Sequence, residues 1–340
     1  MSNRNIIFTS PCVAELIDKA VPTLKEREVL VKLAVSTISS GTERANLIGD
    51  PNTSVNRSGK VVFPRQCGYS SSGTVVAVGD KVTSVSVGDR VSCSWSKHAE
   101  YCKLSEDKVY KMSDDIGFDE AAITHIATFP LAAIRKCRLE IGESAIVFGL
   151  GVLGLIGVQL LKCAGAVPII AVDPVAERRQ KALKLGADFA LDPFEDGFVE
   201  RVRQITGKGV NVAIEVTGNG KGLDMALDCM ARFGRIALLG CTRSSDFSID
   251  YYHKVHGPGI TLIGAHTMAR PKNESFEGWW CEADDERTIL KLIESGRIDF
   301  MSLIEETYSP EDAPAVYERL ANDSHFPTVQ FDWRRLECEK

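Results

Sequence analysis

The sequence predicts an α/β protein in two parts, a compact antiparallel β-barrel followed by a doubly wound parallel sheet. Three observations carry that prediction. Residues 73–95, GTVVAVGDKVTSVSVGDRVSCSW, alternate valines with Gly-Asp turns, the pattern of short antiparallel strands. Residues 145–173, AIVFGLGVLGLIGVQLLKCAGAVPIIAVD, read as strand, glycine turn, helix and second strand ending on an acid. From 143 onward strands alternate with helices, the signature of a parallel sheet with crossovers. A chain of 340 residues is long for one core, which also favours two domains.

In chain order, EVLVKLAVSTIS (28–39) has a strand pattern. FDEAAITHIATFPLAAIRKC (118–137) has helical apolar spacing, with Asp119 and Glu120 suited to the first turn and Arg135 and Lys136 to the last. AVPIIAV (166–172) is a strand before the helix AERRQKALKLG, and VNVAIEVTG (210–218) is one before a helix over GLDMALDCMARFG. RIALLG (235–240) and ITLIGAH (260–266) supply further strands. DDERTILKLIESGRI (284–298) and SPEDAPAVYERLAN (309–322) read as helices, and PTVQFDW (327–333) as a closing strand.

The most specific motif is the glycine turn. Gly149, Gly151 and Gly154 give the G-x-G-x-x-G spacing directly after the run Ile146-Val147-Phe148, with Val152 and Leu153 between the last two. Gly149 allows the tight turn, Gly151 lets the backbone approach a pyrophosphate, and Gly154 lets helix pack closely on strand. The helix then offers unpaired N–H groups and the positive end of its dipole to the phosphates. Asp173 follows Gly149 by 24 residues, near the spacing of an acid that accepts both ribose hydroxyls, which favours NAD over NADP. Arg178 and Arg179 on the next helix can tolerate a 2′-phosphate and keep NADP as the alternative. Thr217 and Gly218 are expected to border the nucleotide, with Leu239, Gly240 and Cys241 near the nicotinamide.

Composition removes other classes. The 44% hydrophobic and 25% charged content is ordinary for a globular protein. A formal charge of −6, without a basic run or an aromatic-basic stripe, argues against a nucleic-acid surface. Four glycines between 149 and 157, and Pro168, argue against a membrane span, and a buried parallel strand explains the apolar run fully. The N-terminus lacks the apolar core of a secretory signal, so a cytoplasmic location is expected. Ten cysteines, with no C-x-x-C pair, read as scattered reduced thiols rather than a zinc knuckle or disulfide scaffold.

GYSSSGTVVAVGDKVTSVSVGDRV (68–91), HAEYCKLSEDKVYKM (98–112), FGLGVLGLIGVQLLKCAGA (148–166) and GRIALLG (234–240) together resemble the medium-chain dehydrogenase/reductase superfamily across essentially the whole chain. The resemblance implies a GroES-like β-barrel catalytic domain over 1–124 and a Rossmann NAD-binding domain over 125–266. It also implies a segment, 267–340, returning to the first domain, and substrate held in an interdomain cleft. Many members carry a catalytic zinc. Here the Cys before the Gly-Thr-acid run is Ser40, ahead of Gly41-Thr42-Glu43, and the Gly-His-Glu triplet is Gly68-Tyr69-Ser70. The remaining ligand position falls on His125. One imidazole does not hold catalytic Zn²⁺, which takes three protein ligands, so neither a catalytic nor a structural zinc is expected.

Hydride transfer then needs a positioned side chain for the hydroxyl proton. The candidates are Tyr69, Thr42 (which matches the family's proton-relaying hydroxyl), Glu43, His125 and His266. Glu43 reads equally as a buried acid paired with Arg44 or Arg65, and Tyr69 as a filler of the vacated metal pocket. Ser40, Ser70, Tyr252, His256 and Trp279 are candidate substrate contacts, with Ser39, His253 and Trp280 near them in sequence. The expectation is a zinc-independent, NAD-dependent dehydrogenase of a secondary alcohol on a sugar, cyclitol or polyol, forming a homodimer or homotetramer through the ITLIGAH strand. The alternatives are an NADPH-dependent quinone or enone reductase, and a dinucleotide-binding sensor without catalysis.

Overall fold

The computed structural model describes residues 2–53, 61–243, 245–323 and 325–336; Cys338 lies outside them. The chain divides into two compact units. The first comprises 1–126, 286–296 and 300–340, and the second 127–285 with 297–299.

The strands of the first unit are β1 (Ser2–Ser10), β2 (Val13–Ala20), β3 (Glu28–Thr37), β4 (Arg65–Gln66), β5 (Ser70–Val78), β6 (Arg90–Ser94), β7 (Tyr101–Ser105) and β8 (Val109–Lys111). Helices α1 (Ser40–Ile48) and α2 (Phe118–Ala121) accompany them, and α3 (Thr124–Lys136) begins in the first unit and lies mostly in the second. The second unit continues with β9 (Ala145–Phe148), α4 (Val152–Ala164), β10 (Ile169–Val172), α5 (Ala176–Leu185), β11 (Phe189–Leu191), α6 (Phe198–Thr206), β12 (Val210–Glu215), α7 (Gly220–Asp228), β13 (Met230–Leu238) and β14 (Thr261–Gly264). The chain ends with α8 (Glu282–Glu294), β15 (Glu306–Tyr308), α9 (Ala313–Asn322) and β16 (Val329–Asp332).

Strand β3 organises the first unit. It pairs antiparallel with β5 along one edge and shares its other edge between β7 and β16. With neighbours on both sides, most of its residues are buried, and its apolar run is interrupted by the exposed Lys32. Helix α9, strand β16 and the turn after it bring Tyr317, Phe331 and Trp333 into the same core as Phe8, Leu33 and Val75.

The second unit is a six-stranded parallel sheet in the order β11-β10-β9-β12-β13-β14, with the order reversing between β9 and β12. Ligands bind such sheets at the carboxyl ends of the strands beside that reversal. β14 is the edge strand and leaves Leu262 exposed.

Three sequence expectations change. The single helix over 118–137 is two, α2 and α3, broken at Ala122-Ile123. The helix over 222–234 stops at Asp228, because Met230 already pairs with Val210 in the sheet. A bulge follows, in which Phe233 takes a left-handed backbone (φ 63°), before Arg235 pairs with Val212. Sheet pairing overrides local helical spacing here. Residues 267–285 stay with the second unit rather than returning to the first. Arg270 explains this: it reaches Thr128, Glu282 and Asp285 within that unit.

Candidate functional site

In the second unit the loops that leave β9, β12 and β13 lie against one another. Gly149 has φ 92°, a conformation that only glycine adopts easily. A Cβ on Gly154 would meet the carbonyl oxygen of Gly149 at 1.9 Å, so the helix–strand approach admits no side chain. A Cβ on Gly151 would meet nothing within 4 Å. Gly151 is also the N-cap of α4 and brings no side chain to the first-turn N–H groups, leaving them and Val152-Leu153 open to an anion.

Asp173, at the end of β10, accepts from Leu150 N at 2.8 Å and Val175 N at 2.9 Å and is buried. Its carboxylate thereby tethers the glycine turn. Each oxygen accepts one of these bonds, and a carboxylate has about four acceptor positions, which leaves room for ribose hydroxyls. Arg178 lies 3.8 Å from the same carboxylate, whereas Arg179 is tied to the Asp173 and Pro174 carbonyls and to Asp192.

Glu215, which the sequence reading missed, shapes the next loop. Buried at the end of β12, it accepts from the Thr217 and Gly218 N–H groups and the Thr217 hydroxyl, and burial pushes its carboxyl above the usual range. Gly240 packs against Gly218, whose own Cβ would meet the Cys241 carbonyl, so Thr217, Gly218, Leu239, Gly240 and Cys241 form one continuous border. This donor-rich cradle, open above Gly151, fits a dinucleotide.

His266 lies just beyond β14, exposed, with Nδ1 accepting from Met268 N. Partial burial, then Lys136 and Arg243, lower its proton affinity. Tyr252 and His256 sit on an exposed turn with ring centroids 5.5 Å apart, and His253 pairs with Asp250. Trp279 and Trp280 are part-exposed, and Arg135 stacks on Trp280 at 3.8 Å. All of these belong to the second unit.

The first unit brings Tyr69, Ser39 and His125 together. The Tyr69 hydroxyl donates to Ser39 Oγ, and its ring stands edge-on to His125 with centroids 5.7 Å apart. Trp95 packs on the same imidazole at 4.9 Å. His125 Nδ1 lies 2.6 Å from Glu286 Oε1, with both side chains fully buried. Ser40 opens α1, half-buried, and Thr42 follows on its first turn. Ser70 faces away, because its hydroxyl donates to the Ala122 carbonyl at 2.7 Å.

Glu43 also faces inward, and its partner is neither Arg44 nor Arg65. It accepts from Ser39 N at 2.9 Å, from the Tyr317 hydroxyl at 2.5 Å and from His98 Nε2 at 3.1 Å. His98 Nδ1 meets Ser36 Oγ, which also accepts from Trp333 Nε1. Cys67 completes the cluster, its thiol against the Ile6 carbonyl and Tyr317, and burial drives it well above its usual range.

Comparison with known proteins accounts for both units. Residues 25–136 match the family described as alcohol dehydrogenase GroES-like domain, and residues 152–280 the family described as zinc-binding dehydrogenase. The chain belongs to the medium-chain dehydrogenase/reductase superfamily. It is similar to an L-threonine 3-dehydrogenase of Pyrococcus furiosus, 29% identical over 328 residues that span 88% of this chain and 89% of the relative. A D-guloside 3-dehydrogenase of Escherichia coli K12 is 25% identical over 334 residues, covering 92% and 95%. A protein described as a short chain alcohol dehydrogenase of Escherichia coli CFT073, solved with NADH, superposes with a TM-score of 0.82 at 19% identity, covering 98% and 99%. As a member of the superfamily the chain is an alcohol dehydrogenase-type oxidoreductase.

The superfamily's catalytic zinc does not fit the side chains at its ligand positions. Ser40, Tyr69 and Ser70 offer hydroxyls, two of them already bonded to Ser39 and Ala122, and the one imidazole is held by Glu286. A second constellation, which the sequence reading did not find, has ligand atoms of Glu43, Cys67 and His98 within 4.8 Å of one another. There the carboxylate takes three hydrogen bonds, from Ser39 N, His98 and the Tyr317 hydroxyl.

No helix among the described residues is long and apolar enough to cross a membrane.

Proposed function

We propose that this enzyme is a zinc-independent, NAD-dependent dehydrogenase of a secondary alcohol on a sugar, cyclitol or polyol. One observation carries the reading. Where the superfamily places zinc ligands, the first unit holds a tyrosine hydroxyl bonded to a serine and backed by a buried imidazole. A zinc ion stabilises a developing alkoxide by several kcal/mol. Without it, the substrate proton needs an acceptor, and Tyr69, steadied by Ser39, takes that part, with Ser40 and Thr42 following Ser39 on the first turn of α1. A nicotinamide held at the glycine turn would supply the hydride acceptor, and Tyr69, once its own proton has left for water, takes the substrate O–H proton on its phenolate oxygen. Asp173 supports NAD, since a carboxylate at the ribose repels a 2′-phosphate. The D-guloside 3-dehydrogenase likeness favours a hydroxyl-rich substrate, for which Tyr252, His256, Trp279 and His266 are candidate contacts.

The test pairs NAD reduction across a sugar, cyclitol and polyol library with elemental analysis of the purified protein. Turnover without bound zinc, unaffected by chelator, is the expected result. Stoichiometric zinc, or reduction of quinones with NADPH in place of polyol oxidation, overturns it. Self-association through β14 as a homodimer or homotetramer belongs to the same proposal, and a purely monomeric sedimentation profile would remove it.

A further inference from the structure

Glu286 is absent from every sequence motif, yet it is wholly buried on α8 with one oxygen on His125 Nδ1 at 2.6 Å. Its second oxygen, Oε2, is buried and has no hydrogen-bond partner among the described residues. This carboxylate accepts its hydrogen bond from the imidazole. It fixes the ring as the Nδ1–H tautomer and stabilises positive charge on it, as carboxylates do behind catalytic histidines. Tyr69 and Trp95 both stand against that ring, and their own ring centroids are 6.1 Å apart.

We infer that Glu286 is a positioning residue, which holds and charges His125 so that the imidazole stabilises Tyr69 when the phenol gives up its proton. The inference rests on the dehydrogenase reading and names the group that tunes its proton acceptor. In the forward step the alcohol C–H pair leaves as hydride for NAD⁺, and the O–H proton joins the Tyr69 phenolate oxygen. The products are ketone, NADH and neutral tyrosine, whose proton then returns to water. Positive charge near a phenolate favours the ionised form.

Among the described residues, ionisable groups face the pair from several elements. Tyr69 faces it from the start of β5 and Glu286 from α8. Cys93 on β6 feels the Glu286 charge, and its own thiol is pushed well above the usual range by burial. Asp285, next in sequence, is engaged by Arg135 and Arg270.

The experiment follows Tyr69 directly. Ultraviolet difference titration of wild type against Tyr69→Phe isolates the Tyr69 phenol, and the same difference is taken in the Glu286→Gln background. Expected is an upward move of the Tyr69 titration by about one pH unit in E286Q, tenfold in proton affinity. With the substrate found above, kcat should fall about tenfold or more while KM and NADH affinity hold, and Glu286→Asp should recover much of the loss. Should E286Q not fold, the double variant His125→Phe/Glu286→Leu replaces the pair by apolar groups and is read in the same way. An unchanged Tyr69 titration sinks the Glu286 assignment and leaves the dehydrogenase reading intact. A shifted titration with no turnover on any alcohol sinks that reading and keeps the assignment.

Discussion

The first unit contains two buried histidine–glutamate pairs of the same composition and different surroundings. Glu43 and His98 sit in a closed polar knot: the carboxylate has three donors, the imidazole has a partner on each nitrogen, and Ser36, Trp333 and Tyr317 complete the set. Glu286 and His125 have a single short bond between them, an unbonded carboxylate oxygen, and a tyrosine whose hydroxyl points to Ser39. A saturated network fixes structure, because every polar group has lost its alternatives. An unsaturated one keeps capacity to respond when a proton moves nearby. Identical residue types thus serve opposite ends, and the hydrogen-bond inventory separates them where burial does not.

The sharpest way to break this comparison is Tyr69→Phe. Removing the phenol beside the unsaturated pair should lower kcat by about 10²–10⁴-fold with the melting temperature nearly unchanged. A loss below threefold would mean that Tyr69 only fills the space of a metal ligand. On the saturated side, His98→Ala leaves Glu43 buried and short of a partner, and should cost about 3–5 kcal/mol in urea-induced unfolding of the first unit. A cost under 1 kcal/mol would show that the knot is not structural.

The smallest effect concerns pH. Burial raises the thiols of Cys67 and Cys93 well above 9.0, Cys102 to about 11, and Cys137 and Cys229 to about 12. In the unfolded chain these thiols ionise near 9.0, whereas folded they stay neutral. The unfolded state therefore binds fewer protons above that point, and stability declines as pH rises through about 9 to 12. Melting temperatures across that range, compared with a Cys67→Ala variant, check the part that belongs to the knot.

The nucleotide half was legible because its chemistry is local. Gly149, Gly151, Gly154 and Asp173 act through backbone conformation and one strand end, so spacing alone reveals them. Tyr69 and His125 were reachable through resemblance, since they stand where other members keep metal ligands. Glu286, His98 and Tyr317 were not legible. Their partners are 161, 55 and 274 residues away, and neither periodicity nor motif encodes a pairing of that span. Glu215 was hidden differently, as an acid inside an apolar strand whose function is to accept from the turn that follows. The helix expected over 222–234 failed where strand pairing with Val210 outweighed helical spacing.

The way the first unit is threaded has a consequence for how the protein is made. Tyr317 and Trp333, from the last tenth of the chain, close the knot around residues 36–43, while the second unit is almost one continuous stretch, 127–285. On the ribosome the later unit can therefore fold first, and the earlier one must wait, its barrel strands uncovered, until Tyr317 and Trp333 have been made. Nascent chains halted before residue 310 should offer chaperones the N-terminal strands while already protecting the glycine turn from protease, the reverse of the usual vectorial order.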